Sequence, residues 1–454
     1  MNEADSEFLA GRARSAGYTV ASRPEEANIV VLNTCTVREA AERRAYGRMH
    51  HFKRLKDADP ALKLVVTGCL AEQDRERMQT IAPHLDGVFG TSELRKLGDA
   101  IERWRPNFED TGISEERALL DPFGGAADCV ADAFSHLRGF VTVQRGCSYY
   151  CTFCIVPHVR GRFDHRRKPE ILAEVNERVA HGAREVMLVG QTVNAYRDPV
   201  GADDFAALCH AAAGVAGLEQ LSFISPHPKD FTEAAIASLA QISVMAPRVH
   251  LPLQSASDPV LWRMNRKYTI GQYDNVLRMF RRHMPHWAVT TDLIVGFPGE
   301  SDEDFERTLE YVQGAAFSNA YMFIYSPRRG TPAARWEQVS SEVAHERFDR
   351  LVAAQNENSR AHNERKLGSV VRALVQGPSK KDPLKIAAKW GDNATIVAPL
   401  PPGMQAEALA ATPWIDVAVD RAFVWGCTGR MVARAAYLCD PGEAVEAAPI
   451  DLIA

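Results

Sequence analysis

The sequence predicts a three-part α/β protein: an open α/β unit, then a full or partial β/α barrel, then a small all-β barrel of the OB-like kind. Three observations carry this. Apolar strand-like runs alternate with helical periodicity up to about residue 334. A stretch punctuated by Pro106, Pro122, Gly124 and Gly125 interrupts the alternation once. Beyond Gly368 short β-like runs punctuated by Gly and Pro take over. With 454 residues the chain has room for two to four domains, each with its own core.

In the first unit, residues 1–104, positions 6–16 read as a helix closed by Gly17, and 28–33 as a buried parallel strand. A helix at 40–55, a strand at 64–68 and a short strand at 88–90 follow. Cys35 and Cys69 stand directly after the two longer strands, at the carboxyl ends where open α/β sheets place ligands. Two small buried thiols would give the same pattern. Residues 105–138 read as a linker in which Cys129 is incidental.

Residues 139–367 carry the barrel signal. Strands are expected at 140–143, 185–189, 220–224, 249–253, 289–295 and 320–325, with helices at 169–181, 231–238, 273–282 and 303–313. Parallel β/α units place their active site at the carboxyl ends of the strands. Just there, after the first strand, stands Arg145-Gly146-Cys147-Ser148-Tyr149-Tyr150-Cys151-Thr152-Phe153-Cys154. Three thiolates at C-x3-C-x2-C spacing can cover one face of a four-iron cube and leave one iron open to a small molecule. A structural zinc with His158 as fourth ligand, or three unrelated thiols, would also fit the spacing. Tyr150 and Phe153 offer an apolar wall, or simple loop packing.

A polar helix at 344–367 leads into the small barrel, residues 368–437, with β-like runs at 370–375, 394–397, 415–419 and 433–437 and an acidic tail at 438–454. The net charge of −5 rules out a global basic field, so any RNA contact must be local. No apolar run is long enough for a bilayer and no signal peptide opens the chain, so no membrane role and a cytoplasmic location are expected. In a reducing compartment the nine cysteines read as metal ligands or buried thiols.

Several motifs then converge. Cys147-x3-Cys151-x2-Cys154 with Ile155-Val156-Pro157 and Arg160-Gly161-Arg162, Asn33-Thr34-Cys35, Thr67-Gly68-Cys69 and Gly190-Gln191-Thr192-Val193-Asn194 resemble the radical S-adenosylmethionine (SAM) methylthiotransferases. So do His250-Leu251-Pro252-Leu253-Gln254-Ser255, the Thr291–Glu300 stretch and Tyr325-Ser326-Pro327-Arg328. Gly377-Pro378-Ser379-Lys380-Lys381 resembles the family's RNA-binding TRAM barrel. Ser225-Pro226-His227-Pro228 and Pro327-Arg328-Arg329-Gly330-Thr331 are most similar to the MiaB type, which adds a methylthio group to C2 of prenylated adenosine beside the anticodon of tRNA.

The resemblance implies that Cys147, Cys151 and Cys154 hold a [4Fe–4S] cluster that cleaves SAM to a 5′-deoxyadenosyl radical. It implies that Tyr150, Phe153, Gly190, Gln191, Gln254, Ser255 and Gly296 surround SAM. Asp292 and Glu300 would then support a strand end rather than bind metal. Cys35 and Cys69 resemble two of three ligands of a second [4Fe–4S] cluster, whose third cysteine stands in relatives just before a stretch like Met1-Asn2-Glu3. The expectation is therefore a second cluster lacking one ligand in this chain, from a start placed at an internal methionine or from a truncation that cripples the site. Arg328, Arg329, Lys380, Lys381 and Lys385 are the expected tRNA contacts, since arginine forks and OB-like loops suit phosphates. The basic run Arg166-Arg167-Lys168 is a further one, or a solvated helix start. An external electron donor such as a flavodoxin-type reductant, a sulfur donor and a monomeric state complete the expectation. The alternatives are the same chemistry on a ribosomal protein or another modified adenosine, and a zinc- or cluster-bearing RNA-binding protein without catalysis.

Overall fold

The computed structural model describes residues 2–21, 23–36, 39–104, 116–121 and 133–432; Cys129, Cys439, the tail and the run expected at 433–437 lie outside them. The contacts divide the chain into two units, Met1–His362 with Gly391–Asn393, and Asn363–Trp390 with Ala394–Ala454.

The larger unit opens on a five-stranded parallel sheet, in the order β1 (Tyr18–Val20), β5 (Glu116–Asp121), β2 (Ile29–Thr34), β3 (Lys63–Gly68), β4 (Gly87–Phe89). All six residues of β2 are buried because helices cover both faces of the sheet. Val30 and Leu32 meet Leu64, Val66 and Phe52, whereas Ile29 and Val31 meet Val65, Leu9, Leu97 and Ile101. Leu9 comes from helix α1 (Asn2–Ser15), Phe52 from α2 (Glu39–Ala58) and Leu97 from α5 (Leu94–Arg103). Between them α3 (Cys69–Gln73) and α4 (Arg75–Ile81) follow β3.

The sheet corrects two expectations. The stretch read as a linker contributes β5, which lies between β1 and β2. Its apolar run is only Ala118-Leu119-Leu120, too short for periodicity to register. β1 likewise precedes the first strand expected.

Glu93 closes the turn into α5. It accepts hydrogen bonds from Arg75 and from the Gly90 N–H at 3.1 Å, and these hold its carboxyl down at about 2, Arg75 contributing most. A depressed folded-state pKa stabilises above the unfolded value near 4.5 and is lost as pH falls from there toward 2. Glu93→Gln is expected to cost about 1 kcal/mol at pH 6 after solvent screening. Urea titrations should show the gap to wild type shrinking below pH 4.5; a gap independent of pH would contradict the assignment.

The barrel part begins with β6 (Arg138–Thr142) and the antiparallel pair β7 (Gln144–Arg145) and β8 (Asp164–His165). β9 (Glu185–Val189), β10 (Gln220–Phe223), β11 (Arg248–His250), β12 (Ala288–Val295) and β13 (Asn319–Ile324) follow. They form two parallel three-stranded sheets, β10-β9-β6 and β11-β12-β13, and Leu221 of β10 makes a parallel bridge to Met245, three residues before β11. This is a six-stranded partial barrel. All six expected strands are present, and one apolar core runs from Val141 through Leu188, Leu221, Val249 and Leu293 to Ala320. At the amino end of the strands Glu185 is fully buried between Arg138 (2.6 Å) and Arg248, an ion-pair knot opposite the chemical face.

The second unit is a closed barrel in the order β14 (Val370–Ser379), β15 (Asp382–Trp390), β16 (Thr395–Pro399), β18 (Gly426–Val432), β17 (Trp414–Phe423). β15 and β18 were not among the runs expected. In β15 only Ile386 and Ala388 are buried, so its apolar signal is thin. Among the described residues no helix is long and apolar enough to cross a membrane.

Candidate active site

The three-cysteine loop leaves β7 through a glycine that no other residue could replace without rearrangement. Gly146 has φ +72°, and a Cβ there would lie 2.0 Å from the Arg162 carbonyl oxygen. Gln144, fully buried, donates to the Gly146 carbonyl at 2.6 Å and accepts from the Thr192 N–H at 3.2 Å. One side chain thereby ties the cysteine loop to the Gly190-Gln191-Thr192 loop after β9. Thr192 Oγ1 stands 3.3 Å from Cys147 Sγ. The Thr152 N–H donates to the Met264 carbonyl (3.1 Å), and Asn265 donates to the Tyr150 carbonyl (2.9 Å).

The thiols of Cys147, Cys151 and Cys154 form no disulfide. Burial raises the Cys147 thiol and pushes Cys154 up to about 12, where the neighbouring Cys151 adds to the effect. Arg266 faces this group. Its buried guanidinium lies 3.4 Å from Cys151 Sγ, 3.1 Å from the Tyr268 hydroxyl and 3.4 Å from the Pro252 carbonyl oxygen. Among the described residues no carboxylate pairs with it. A buried cation without a carboxylate calls for negative charge on what it touches. Two buried polar atoms on adjoining strand-end loops, Gln191 Oε1 and His227 Nε2, also have no hydrogen-bond partner. Burial holds His227 well below the usual imidazole range, and the Arg266 charge reinforces this, so the ring is neutral. Three free thiols, a lone cation and unsatisfied donors and acceptors fit an anionic iron–sulfur cluster with a polar ligand beside it. Among the described residues no three Cys, His, Asp or Glu side chains stand close enough together, as placed, to hold a single metal ion.

The second cysteine site meets the first. Cys69 packs on Ile155 and Val159, one and five residues after Cys154. Arg160, on the same turn, donates to Cys69 Sγ (3.2 Å), to Asn2 Oδ1 (2.9 Å) and to the buried Asp5 carboxylate (2.9 Å). Burial raises the Cys69 thiol, Arg160 opposes this, and Cys35 adds a smaller upward push.

The sequence profile of the Radical SAM superfamily matches residues 141–312, and that of an uncharacterized family, UPF0004, matches residues 1–90. A tRNA-2-methylthio-N(6)-dimethylallyladenosine synthase of Moorella thermoacetica is 38% identical over 95% of this chain and 96% of its own length. The chain belongs to that synthase family. A second synthase, from Saccharopolyspora erythraea, is 44% identical over 84% of this chain and 78% of its own. Among solved structures, the radical SAM methyltransferase TsrM of Kitasatospora setae covers 72% of this chain and 66% of its own, with 15% identity and a TM-score of 0.47.

The remaining residues expected at a synthase-family site are placed unevenly. Gln254 is buried with φ +73°, and its backbone bridges to Asp292 and Ile294. Gly296, φ +66°, donates its N–H to Glu300 Oε2 (2.7 Å), which is held in turn by Arg347 (2.8 Å). Asp292 pairs instead with His250 (3.1 Å), so the two carboxylates are engaged separately. The buried Ser255 hydroxyl is spent on Thr308 Oγ1 (3.2 Å). Phe153 packs edge-on against Phe297, and Tyr150 stands 44% exposed with its hydroxyl accepting from Arg162 (3.2 Å). His158 is exposed on the short helix Val156–Val159.

Of the expected RNA contacts, Arg328 is largely buried and lies 3.7 Å from Glu42, while Arg329 is exposed. In the second unit, Lys380 and Lys381 form the exposed turn between β14 and β15, and Lys385 pairs with Asp382 (3.0 Å). Arg266, Gln144 and Arg160 were not singled out as site residues from sequence. Arg266 lies outside every motif quoted, and nothing short of the fold brings it to Cys151.

Proposed function

We propose that this chain methylthiolates C2 of N6-prenylated adenosine beside the anticodon of tRNA, using SAM both as methyl donor and as radical source. The single observation that carries this reading is the packing of Cys69 against the turn that follows Cys154. A methylthiotransferase needs a sulfur-carrying centre beside a SAM-cleaving one, and here one arginine touches both segments.

Cys147, Cys151 and Cys154 would hold a [4Fe–4S] cluster, and Cys35 and Cys69 would contribute to a second. When bound, the first cluster and SAM supply a one-electron route to a carbon radical, and SAM supplies the methyl group. The chain's own task is enclosure. Tyr149 packs at 4.5 Å and tilted against His227 and edge-on to Phe163, and its hydroxyl donates to Asp230. Burial keeps both the Tyr149 phenol and the His227 ring uncharged, which suits a wall that must shed water and offer no stray proton. Gln191, Gln254 and the Gly296 turn would contact SAM from neighbouring strand ends. Arg266 would balance the charge of the cluster at Cys151.

The partners follow from this chemistry: tRNA as substrate, a flavodoxin-type electron donor, a sulfur donor and a cytoplasmic location, where tRNA is used, with the chain acting as a monomer. Mass spectrometry of tRNA nucleosides from a deletion strain tests the reading. The methylthiolated prenyl-adenosine should vanish, with its unthiolated precursor accumulating. Persistence of the product would refute the assignment, and a lost modification on a ribosomal protein would redirect it.

A further inference from the structure

A cleft of about 460 Å³ is lined by Glu42, Arg43, Tyr46, Arg77 and the Ser326-Pro327-Arg328 turn. We propose that this cleft is a docking subsite for the sugar–phosphate backbone of the RNA substrate, an inference that rests on the tRNA reading above. Three arginines and one phenol ring line it. Arg77 lies over the Tyr46 ring at 5.3 Å, and Arg43 and Arg77 are exposed. Two carboxylates oppose them. Glu42 stands 3.7 Å from Arg328, and Asp74 stands 3.7 Å from Arg77 and accepts from the Tyr46 hydroxyl at 3.2 Å. The Arg77–Asp74 pair is looser than a hydrogen bond and Arg77 is exposed, so its guanidinium can turn toward a phosphate, which a guanidinium fork matches better than a single distant carboxylate oxygen.

Placement supports the substrate class. The residues of α2 that line the cleft follow Cys35, Arg77 is on the helix after Cys69, and Arg328 lies just beyond the carboxyl end of β13. The cleft is thus built from segments that leave the carboxyl ends of strands, as both cysteine segments do. An aromatic ring among arginines is also the pattern by which single-stranded nucleic acid is held, by stacking and by charge. An acidic electron-donor protein is the competing occupant. A docking protein needs a broad face of roughly 800 Å² rather than a nucleotide-sized recess.

The test is fluorescence anisotropy of the full chain with a labelled synthetic anticodon stem–loop RNA across a salt series. Arg43→Ala with Arg77→Ala should weaken binding about tenfold and lower the slope of log affinity against log salt by about 2. Arg77→Gln alone should lower it by about 1. Circular dichroism confirms that each variant is folded. Wild-type affinity and slope in both variants would overturn the subsite while leaving the tRNA reading intact. Failure of the wild-type chain to bind the RNA at any salt would overturn the tRNA reading itself and the subsite with it. Normal RNA binding with slowed reduction by a flavodoxin-type donor would assign the cleft to the donor and overturn the proposal.

Discussion

Cys151→Ala is expected to abolish SAM cleavage and tRNA methylthiolation together, with a loss of more than about 100-fold in each. The reason is chemical rather than structural. The backbone of the loop is held by bonds that the substitution leaves alone: Cys154 N–H to the Cys151 carbonyl, Thr152 N–H to the Met264 carbonyl, and Cys147 N–H to the Gly161 carbonyl, each 3.0–3.1 Å. What disappears is one of three thiolates and the anionic partner of Arg266. Iron and labile sulfide after anaerobic reconstitution should fall by one cluster. Cys69→Ala serves as the contrast: it should keep SAM cleavage and lose sulfur transfer. SAM cleavage by Cys151→Ala within about tenfold of wild type would remove this loop from the chemistry.

Arg266→Met should weaken cluster retention and SAM cleavage by about 10–100-fold, the usual cost of losing a group that orients and balances a metal ligand. At 3.4 Å and an effective dielectric near 20, a guanidinium and a thiolate attract by about 5 kcal/mol before desolvation is subtracted. That exceeds the 0–1 kcal/mol of an exposed pair, so the effect should be measurable. Because reduction adds negative charge beside this cation, the midpoint potential of the cluster should also fall in the variant, as read by a redox titration followed by electron paramagnetic resonance. Arg266→Lys should restore part of the shift, since it keeps the charge but not the fork that also reaches Tyr268 and Pro252. A less stable protein with unchanged potential and cluster content would reduce Arg266 to a packing role.

How much of this was legible in the sequence depends on whether neighbours in space are also neighbours in the chain. The six barrel strands were, because each buries an apolar run long enough to register, such as residues 185–189 and 289–295. So were the cysteine loops, whose spacing is local. β5 was hidden by a three-residue apolar run, and β15 by a mostly solvent-facing strand whose lysines mask Ile386 and Ala388. Ser255 shows what a motif leaves out: its hydroxyl also meets Thr308, a partner that only the packing of the helix Asp302–Ala315 supplies. Arg266 and Gln144 act across the fold, on Cys151 and Thr192, and no local pattern announces such reach.

The contact of Arg160 with Asn2, Asp5 and Cys69 has a consequence for heredity and engineering. An arginine contributed by the radical SAM loop is satisfied wholly by residues of the first sheet's flank, and Asp5 also receives Arg145 at 3.4 Å. The two segments therefore cannot drift independently. A chimera that grafts the opening domain of one relative onto the barrel of another must transplant the aspartate and its arginines as one set, or leave a buried charge stranded at the seam.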